Sequence, residues 1–452
     1  MSKIKVNLTT LGCAKNQVDS ERLLGILSGS GYQLVEKRED ADILILNTCG
    51  FIDSAKRESL DEIWDLISLK DQKKKLIICG CLVQRYHKEL AKEIPEIDGI
   101  LGIGEIDKID SVCKEVLKHR KVGWVGSPNR KGQKIVKRIV SNPAYAYLRI
   151  ADGCDNRCSY CAIPNIRGKF RSREMESVLN EARYLAEKGI KEINLVAQDT
   201  TLFGVDLYNK KRLPELLNSL SEISGIEWIR LLYTHPAHYS DELIETIAKN
   251  PKLCKYLDLP LQHISDDILS RMNRKVNREQ IEGLIDKLKE KIRDLTLRTT
   301  FLVGFPGERE RDFQKLLGFV EKTEFDRLGA FAYSKEEDTP AYNFANQISS
   351  KIKLDRLDRL LLLQQTISQK KNRKKIRKIF KVLIEGKSED GYFVGRSQGE
   401  APDVDGVIYV RGDEIKIGDF VEVRMTEANE CDLFGNQTGL CPSKTGALSN
   451  RT

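Results

Sequence analysis

The sequence predicts an α/β chain in three parts: a small doubly wound N-terminal α/β domain, an incomplete (β/α)6 barrel, and a C-terminal all-β barrel. Three observations predict this. Short β-branched apolar runs alternate with helix-period segments through the first third and again through the middle. Polar or glycine-containing stretches follow the strand-like runs, as they do at the ligand-bearing ends of parallel sheets. Short strand-like runs between Gly and Asp turns fill the last stretch. The 452 residues, 40% of them hydrophobic, give roughly two to four domains with ordinary cores.

The elements follow in order. In the first domain, 4–118, Val6–Thr10, Ile43–Asn47 and Leu76–Ile78 read as buried parallel strands. Ser20–Leu27, Ala55–Leu69 and Gln84–Ile94 read as helices between and after them. Residues 121–143 carry Gly123, Gly126, Pro128, Gly132 and Pro143 among basic residues, which reads as a linker. The second domain, 140–370, has strand patterns at Tyr145–Ile150, Glu192–Ala197, Glu227–Tyr233, Tyr256–Pro260, Thr296–Val303 and Leu328–Tyr333. Helical patterns such as Ser177–Lys188 and Arg278–Arg293 lie between them. Six such units leave a barrel open on one side, with its chemistry at the carboxyl ends of the strands. A helix from Lys351 to Lys375 closes this region and ends in a run of lysines and arginines, most often a solvated helix end, with contact to nucleic acid as the alternative. The third domain, 373–440, has strands at Lys381–Glu385, Gly391–Arg396, Gly406–Val410 and Asp419–Thr426.

Composition excludes some classes. No apolar run approaches a membrane span, and Met1-Ser2-Lys3 leads straight into strand-like sequence with no signal pattern. Eleven cysteines without a secretory signal point to a reducing, cytoplasmic location and to thiolate ligands in place of disulfides.

The densest chemistry is Cys154, Cys158 and Cys161, a C-x3-C-x2-C just after a predicted strand. Thiolates so spaced suit a cubane iron–sulfur cluster. Three ligands leave one iron open to chelate the amino and carboxylate groups of S-adenosylmethionine, whose cleavage yields a carbon radical. A zinc site would ask for a fourth Cys or His nearby, and none lies close in sequence. A second set stands at strand ends of the first domain: Cys13, Cys49, and the pair Cys79 and Cys81. Ligands bind beyond the carboxyl ends of strands in such sheets, so this set can hold a second cluster; small buried thiols are the plainer alternative. Other candidate cofactor contacts are Tyr160, which can cover an adenine or merely pack, Gln198 after the second barrel strand, and Gly304 and Glu308 in the turn after the fifth. His235 and His263 stand at strand ends, with a structural role equally open. Cys113, Cys254, Cys431 and Cys441 read as core or surface thiols.

With these motifs the chain resembles the radical S-adenosylmethionine methylthiotransferases over residues 4 to about 440. The resemblance is carried by Leu11-Gly12-Cys13-Ala14-Lys15-Asn16, Gly80-Cys81-Leu82-Val83-Gln84-Arg85-Tyr86, Ala197-Gln198-Asp199-Thr200-Thr201, Leu259-Pro260-Leu261-Gln262-His263-Ile264-Ser265 and Ala401-Pro402-Asp403-Val404-Asp405-Gly406. It implies a radical-SAM barrel, a terminal TRAM barrel and two 4Fe–4S clusters, the auxiliary one on Cys13, Cys49 and Cys81. The finer motifs are similar to the branch that adds a methylthio group to the β-carbon of one aspartate in protein twelve of the small ribosomal subunit. An electron donor such as flavodoxin or ferredoxin is implied with it. Departures are the extra Cys79, and Phe203 and Cys431 where the pattern has tyrosines. The alternatives are a transfer-RNA adenosine methylthiotransferase and, from another class, a non-catalytic iron–sulfur RNA-binding or redox-sensing protein.

Charge bears on the partner. From Phe380 to Leu440 there are 13 Asp and Glu against 6 Lys and Arg, a net of −7 on a chain that is +8 overall. Phosphate backbones bind through cations, so the barrel is expected to recruit a basic protein, not nucleic acid, with Asp403 and Asp405 as exposed candidates.

Overall fold

The computed structural model describes residues 3–71, 73–128 and 138–438. Cys441 lies outside them. In the N-terminal domain, β1 (Lys5–Thr10), β2 (Gln33–Leu34), β3 (Ile43–Thr48), β4 (Lys75–Gly80), β5 (Gly99–Leu101) and β6 (Val122–Trp124) form one parallel sheet in the order β2-β1-β3-β4-β5-β6. Every residue of β3 and β4 is buried, because helices cover both faces. Three strands were expected and six are present. The other three have two or three residues each, too few to show a pattern, and β6 lies in the stretch read as linker. Helix α1 spans Ala14–Gly29 and starts six residues before the expected Ser20. Its first turns carry Lys15, Asn16, Asp19, Ser20, Glu21 and Arg22, all buried. Polar residues on the buried side hide the apolar period that marks a helix in sequence. Helices α2 (Asp53–Ser68), α3 (Cys81–Glu93) and α4 (Ile109–Leu117) complete the domain.

The core follows with β7 (Tyr145–Arg149), a small hairpin of β8 (Ala151–Asp152) and β9 (Arg171–Ser172), then β10 (Glu192–Val196), β11 (Trp228–Leu231), β12 (Leu253–Asp258), β13 (Thr296–Val303) and β14 (Arg327–Ala332). The parallel sheet runs β14-β13-β12-β11-β10-β7 and does not close. The N-terminal domain straddles the gap. On one edge Asp19 of α1 pairs with Arg149 of β7 at 2.6 Å. On the other, Lys56 and Arg85 each reach Glu336, just past β14, at 3.0 Å.

The last five strands, β15 (Ile379–Lys387), β16 (Phe393–Arg396), β17 (Ile408–Arg411), β18 (Phe420–Ala428) and β19 (Leu433–Gln437), close into a barrel. It plugs the amino-terminal ends of the core strands. Tyr145 and Tyr147 donate to Asp403 at 3.1 and 2.8 Å, and Tyr256 donates to Asp405 at 2.6 Å. Arg396 joins Glu192 at 2.7 Å, and Arg327 joins Glu400 at 2.9 Å. Asp405, expected to be exposed, has its side chain buried against Tyr256 and Arg298; Asp403 is exposed as expected, though its oxygens also accept from Tyr145 and Tyr147. The exposed acids Glu389, Asp390, Asp413, Glu414, Glu422 and Glu427 are nearly matched by exposed Lys381, Lys387, Arg411, Lys416 and Arg424. The joint therefore takes up part of the −7 counted by composition: Glu385, Glu400, Asp403 and Asp405 lie in it, set against Arg396 as the barrel cation there. The basic run after the closing helix is partly neutralised too, since Lys371 pairs with Asp326 at 2.6 Å and Lys375 with Glu400 at 3.3 Å. No helix among the described residues is long and apolar enough to cross a membrane.

Candidate active site: two cysteine triads at the barrel mouth

The first triad sits on the loop between β8 and a short helix, α5 (Ile163–Arg167). Gly153 opens it at φ +76, and a Cβ there would overlap the carbonyl of Lys169, so only glycine fits. The Cys154 amide donates to the Gly168 carbonyl at 3.1 Å, and the Cys161 amide to the Cys158 carbonyl at 3.1 Å. Ser159 donates its hydroxyl to the Arg271 carbonyl at 2.7 Å. These bonds fix the loop. Arg274, itself buried, points Nη1 at Cys158 Sγ at 3.4 Å. Burial pushes the Cys154 thiol up to about 11 and Cys161 up further, so ligation there releases protons.

Around this loop several polar groups converge. Asp199 accepts from Asn156 Nδ2, inside the cysteine loop, at 2.8 Å, and holds His238 Nδ1 at 2.8 Å. The amide N and O of Gln198 are buried without a partner. So is Nε2 of His235. The Ala237 amide donates to His235 Nδ1 at 3.2 Å, which puts the proton of a neutral ring on Nε2. Burial, with Arg274 nearby, holds His235 down at about 2 and so neutral. Buried polar groups are normally satisfied; the orphaned Nε2 of His235, which stacks on His238 beside Asp199 and so stands near the cysteine loop, fits a polar cofactor such as S-adenosylmethionine.

Of the remaining sequence candidates, Tyr160 stays at the cysteine loop with its hydroxyl on Cys158 and Arg274 beside it, while Gly304 and Glu308 serve their own loop. Tyr160 packs edge-on against Phe305, ring centroids 6.5 Å apart, in a cluster with Met272 and Tyr333. Glu308 is buried and tied inside its own loop: it accepts from the Gly304 amide at 2.7 Å and pairs with Arg356 at 3.0 Å. A Cβ on Gly304 would run into the Lys353 side chain, so this glycine makes room for the protein's own helix.

The second triad comes from three chain segments. Cys13 caps α1, Cys49 follows β3, and Cys81 opens α3. Two glycines allow it. Gly12, at φ +94, lies so close that a Cβ would be 3.1 Å from Cys49 Sγ. Gly80, at φ +100, breaks the strand. Residues two apart in a strand share a face; the break turns Cys81 away from Cys79. Cys79 stays in the sheet core with Val6, Ile45 and Leu101. Cys81 Sγ lies 3.6 Å from Asn16 Oδ1 and 3.6 Å from Arg167 Nη2. The structure thus brings together Cys13, Cys49 and Cys81, and leaves Cys79 out.

Arg167 joins the two triads. It ends α5, six residues beyond Cys161, and also bonds Asn16 at 2.9 Å, Asp19 at 3.1 Å and Asp152 at 3.4 Å. Burial would raise the Cys13 thiol, but Lys15 and Arg167 outweigh it and bring the thiol below its ordinary value. Cys81 is pushed up by burial to about 12. Among the described residues, Asp199, His235 and His238 are the group of three donors lying within 4.8 Å of one another. Neither cysteine triad gathers so tightly. Thiolates on one zinc, each about 2.3 Å from it, must. Thiols spaced more widely than this fit a cluster more readily than one zinc ion. Sequence reading missed Arg167 and Arg274, which no spacing marks, and passed over Lys15 inside a quoted motif.

Residues 5–102 match an uncharacterised protein family (UPF0004), 148–320 match the Radical SAM superfamily, and 376–437 match the TRAM domain. The six-stranded parallel core with three thiols at its mouth is a radical S-adenosylmethionine enzyme, a class that carries a 4Fe–4S cluster and S-adenosylmethionine. A protein of Clostridioides difficile named ribosomal protein uS12 methylthiotransferase RimO is 48% identical over 437 residues, covering 96% of this chain and 98% of that one. Its namesake in Geobacter sulfurreducens is 47% identical over 440 residues, at 96% and 98% coverage. The chain belongs to this methylthiotransferase family. Among solved structures, the radical S-adenosylmethionine methyltransferase TsrM of Kitasatospora setae superposes with a TM-score of 0.56 at 15% identity, over 75% of this chain and 77% of that one. That likeness concerns the fold alone.

Proposed function

We propose that the protein transfers a methylthio group to the β-carbon of an aspartate in ribosomal protein uS12. Cys154, Cys158 and Cys161 hold one 4Fe–4S cluster; Cys13, Cys49 and Cys81 hold the other. When bound, the first cluster supplies the electron that breaks the sulfonium of S-adenosylmethionine, giving the radical that removes a hydrogen from an unactivated carbon. The protein's own part is placement. Gln198 and the His235 Nε2–H offer hydrogen bonds to the nucleoside or its amino-acid end. Arg274 sets its charge against Cys158. Arg167 fixes α5 against α1, and with it the distance between the two triads. The observation that carries the reading is this facing arrangement, one triad from a single loop and one from three strand ends, bridged by one buried arginine.

The setting is a reducing cytoplasm with a small electron-transfer protein such as flavodoxin or ferredoxin as donor. The test is anaerobic reconstitution with reductant, S-adenosylmethionine, and either purified uS12 or bulk transfer RNA. The expected result is 5′-deoxyadenosine together with uS12 heavier by one methylthio group. Methylthioadenosine in the RNA, with uS12 unmodified, overturns the reading.

A further inference from the structure

Between the two triads stands a buried cation with no carboxylate in ion-pair contact; the negative groups that act on it are the Cys13 thiol, which it holds below its ordinary value, and Asp152 further off. Lys15 is 7% exposed. It lies in the first turn of α1, two residues past Cys13. Its Nζ sits 3.5 Å from the ring centroid of Tyr233. Among the described residues no carboxylate forms an ion pair with it. Its cationic neighbours differ: Arg149 holds Asp19 at 2.6 Å, Arg167 holds Asp19 at 3.1 Å, and Arg298 holds Asp258 at 2.9 Å. An aromatic face offsets part of the desolvation of an ammonium. It does not replace a carboxylate in direct contact.

The position of Tyr233 is itself held. Its φ is +55, a left-handed conformation uncommon for an aromatic residue. The Asp258 carboxylate accepts its amide at 3.0 Å, and its carbonyl accepts from the Thr200 amide at 3.0 Å. So the carboxyl end of β11 is bent to put a ring under Lys15. One end of this arrangement touches the Cys13 turn, and the other is at the barrel mouth. A carbon that must meet both a radical from the mouth and sulfur from the Cys13 side has to pass beside this ammonium.

We infer that Lys15 is the counter-cation for the carboxylate of the residue being modified, an inference that rests on the reading given under Proposed function. A carboxylate has two possible sources here, the side chain of the target residue and the methionyl end of S-adenosylmethionine. Lys15 lies two residues past Cys13, whereas His235, with its orphaned Nε2, stacks on His238, which Asp199 ties to Asn156 in the Cys154 loop. The target residue is therefore the source. Such a cation selects an acidic residue over its amide, because an amide leaves the ammonium uncompensated.

The experiment measures equilibrium binding to reconstituted, oxidised enzyme. The probes are uS12, uS12 with the target aspartate changed to asparagine, and S-adenosylmethionine alone. Enzymes are wild type, Lys15→Met and Lys15→Arg. Wild type should bind the aspartate form more tightly than the asparagine form by about tenfold or more, the size of one charge-assisted contact. Lys15→Met should abolish that preference by weakening the aspartate form alone, and Lys15→Arg should keep part of it. Equal weakening of both protein forms would make Lys15 scaffold. Weakened S-adenosylmethionine binding would assign it to the other carboxylate. Loss of iron from Lys15→Met but not from Lys15→Arg would make it a counter-charge for the thiolates. Each of these three overturns the inference. Failure of wild type to bind and modify uS12 at all would instead remove the reading beneath it.

Discussion

The core makes two joints, one at each end of its strands, and they are built on opposite plans. At the amino-terminal end, the small barrel brings acids to meet core arginines and tyrosines, and the principal charges find partners: Asp403, Asp405 and Glu400 on one side, Tyr147, Tyr256 and Arg327 on the other. At the carboxyl end, the N-terminal domain brings thiols and an ammonium with no carboxylate in contact, and the core answers with orphaned groups on Gln198 and His235. A satisfied joint holds; an unsatisfied one awaits a ligand. The difference teaches where to look for function: in the unmet hydrogen-bond and charge capacity of an interface, not in its size.

The contrast can be broken most severely at the thiols. Cys154→Ala, Cys158→Ala or Cys161→Ala should abolish 5′-deoxyadenosine formation and remove about four irons per chain; normal nucleoside yield from any of the three would sink that ligand set. Next, Cys13→Ala, Cys49→Ala and Cys81→Ala should lose methylthio transfer completely while still cleaving S-adenosylmethionine, as read by nucleoside yield beside intact mass of uS12. At the other joint the loss should be of stability alone. Arg396→Ala strands Glu385 and leaves Glu192 with Arg230 alone, and should cost about 3–5 kcal/mol in denaturant unfolding, with iron content per folded chain unchanged. A weaker effect of the same kind is set by pH. Burial opposes the charge on Glu400, but Lys375, Arg327 and Ser397 bring it down to about 2, against about 4.3 in an unfolded chain. Its stabilisation is full above the unfolded value and is lost as pH falls from about 4.3 towards 2, roughly 3 kcal/mol in all. Glu400→Gln should flatten the apoprotein's stability curve in that window; an unchanged acid limb would remove Glu400 from the joint. Smallest of all, Cys79→Ala should cost about 1 kcal/mol and leave both activities near wild type, since its thiol packs in the sheet core.

Legibility in the sequence followed locality. The Cys154 triad lies within eight residues, so spacing alone exposed it. The Cys13 triad needed the topology first, because three strands must be parallel and adjacent before their ends can meet. The choice between Cys79 and Cys81 depended on one backbone angle, at Gly80, that composition does not encode. The start of α1 was hidden because its inner face is polar: Asn16, Asp19 and Glu21 are buried against Arg167, Arg149 and Arg138. A period search reads such a face as exposed. Asp405 was misread for the same reason, since a charge count does not say which way a carboxylate points. In each case the misread residues are polar groups at a joint between domains.

The plug at the foot of the core has a kinetic consequence. The small barrel fills that end and the N-terminal domain straddles the open side. The expected consequence is a shared entrance for small molecules and protein substrate, hence ordered turnover, with S-adenosylmethionine first and product release last. A burst of modified uS12 in the first turnover is the expected sign, and product formation with no burst would break it.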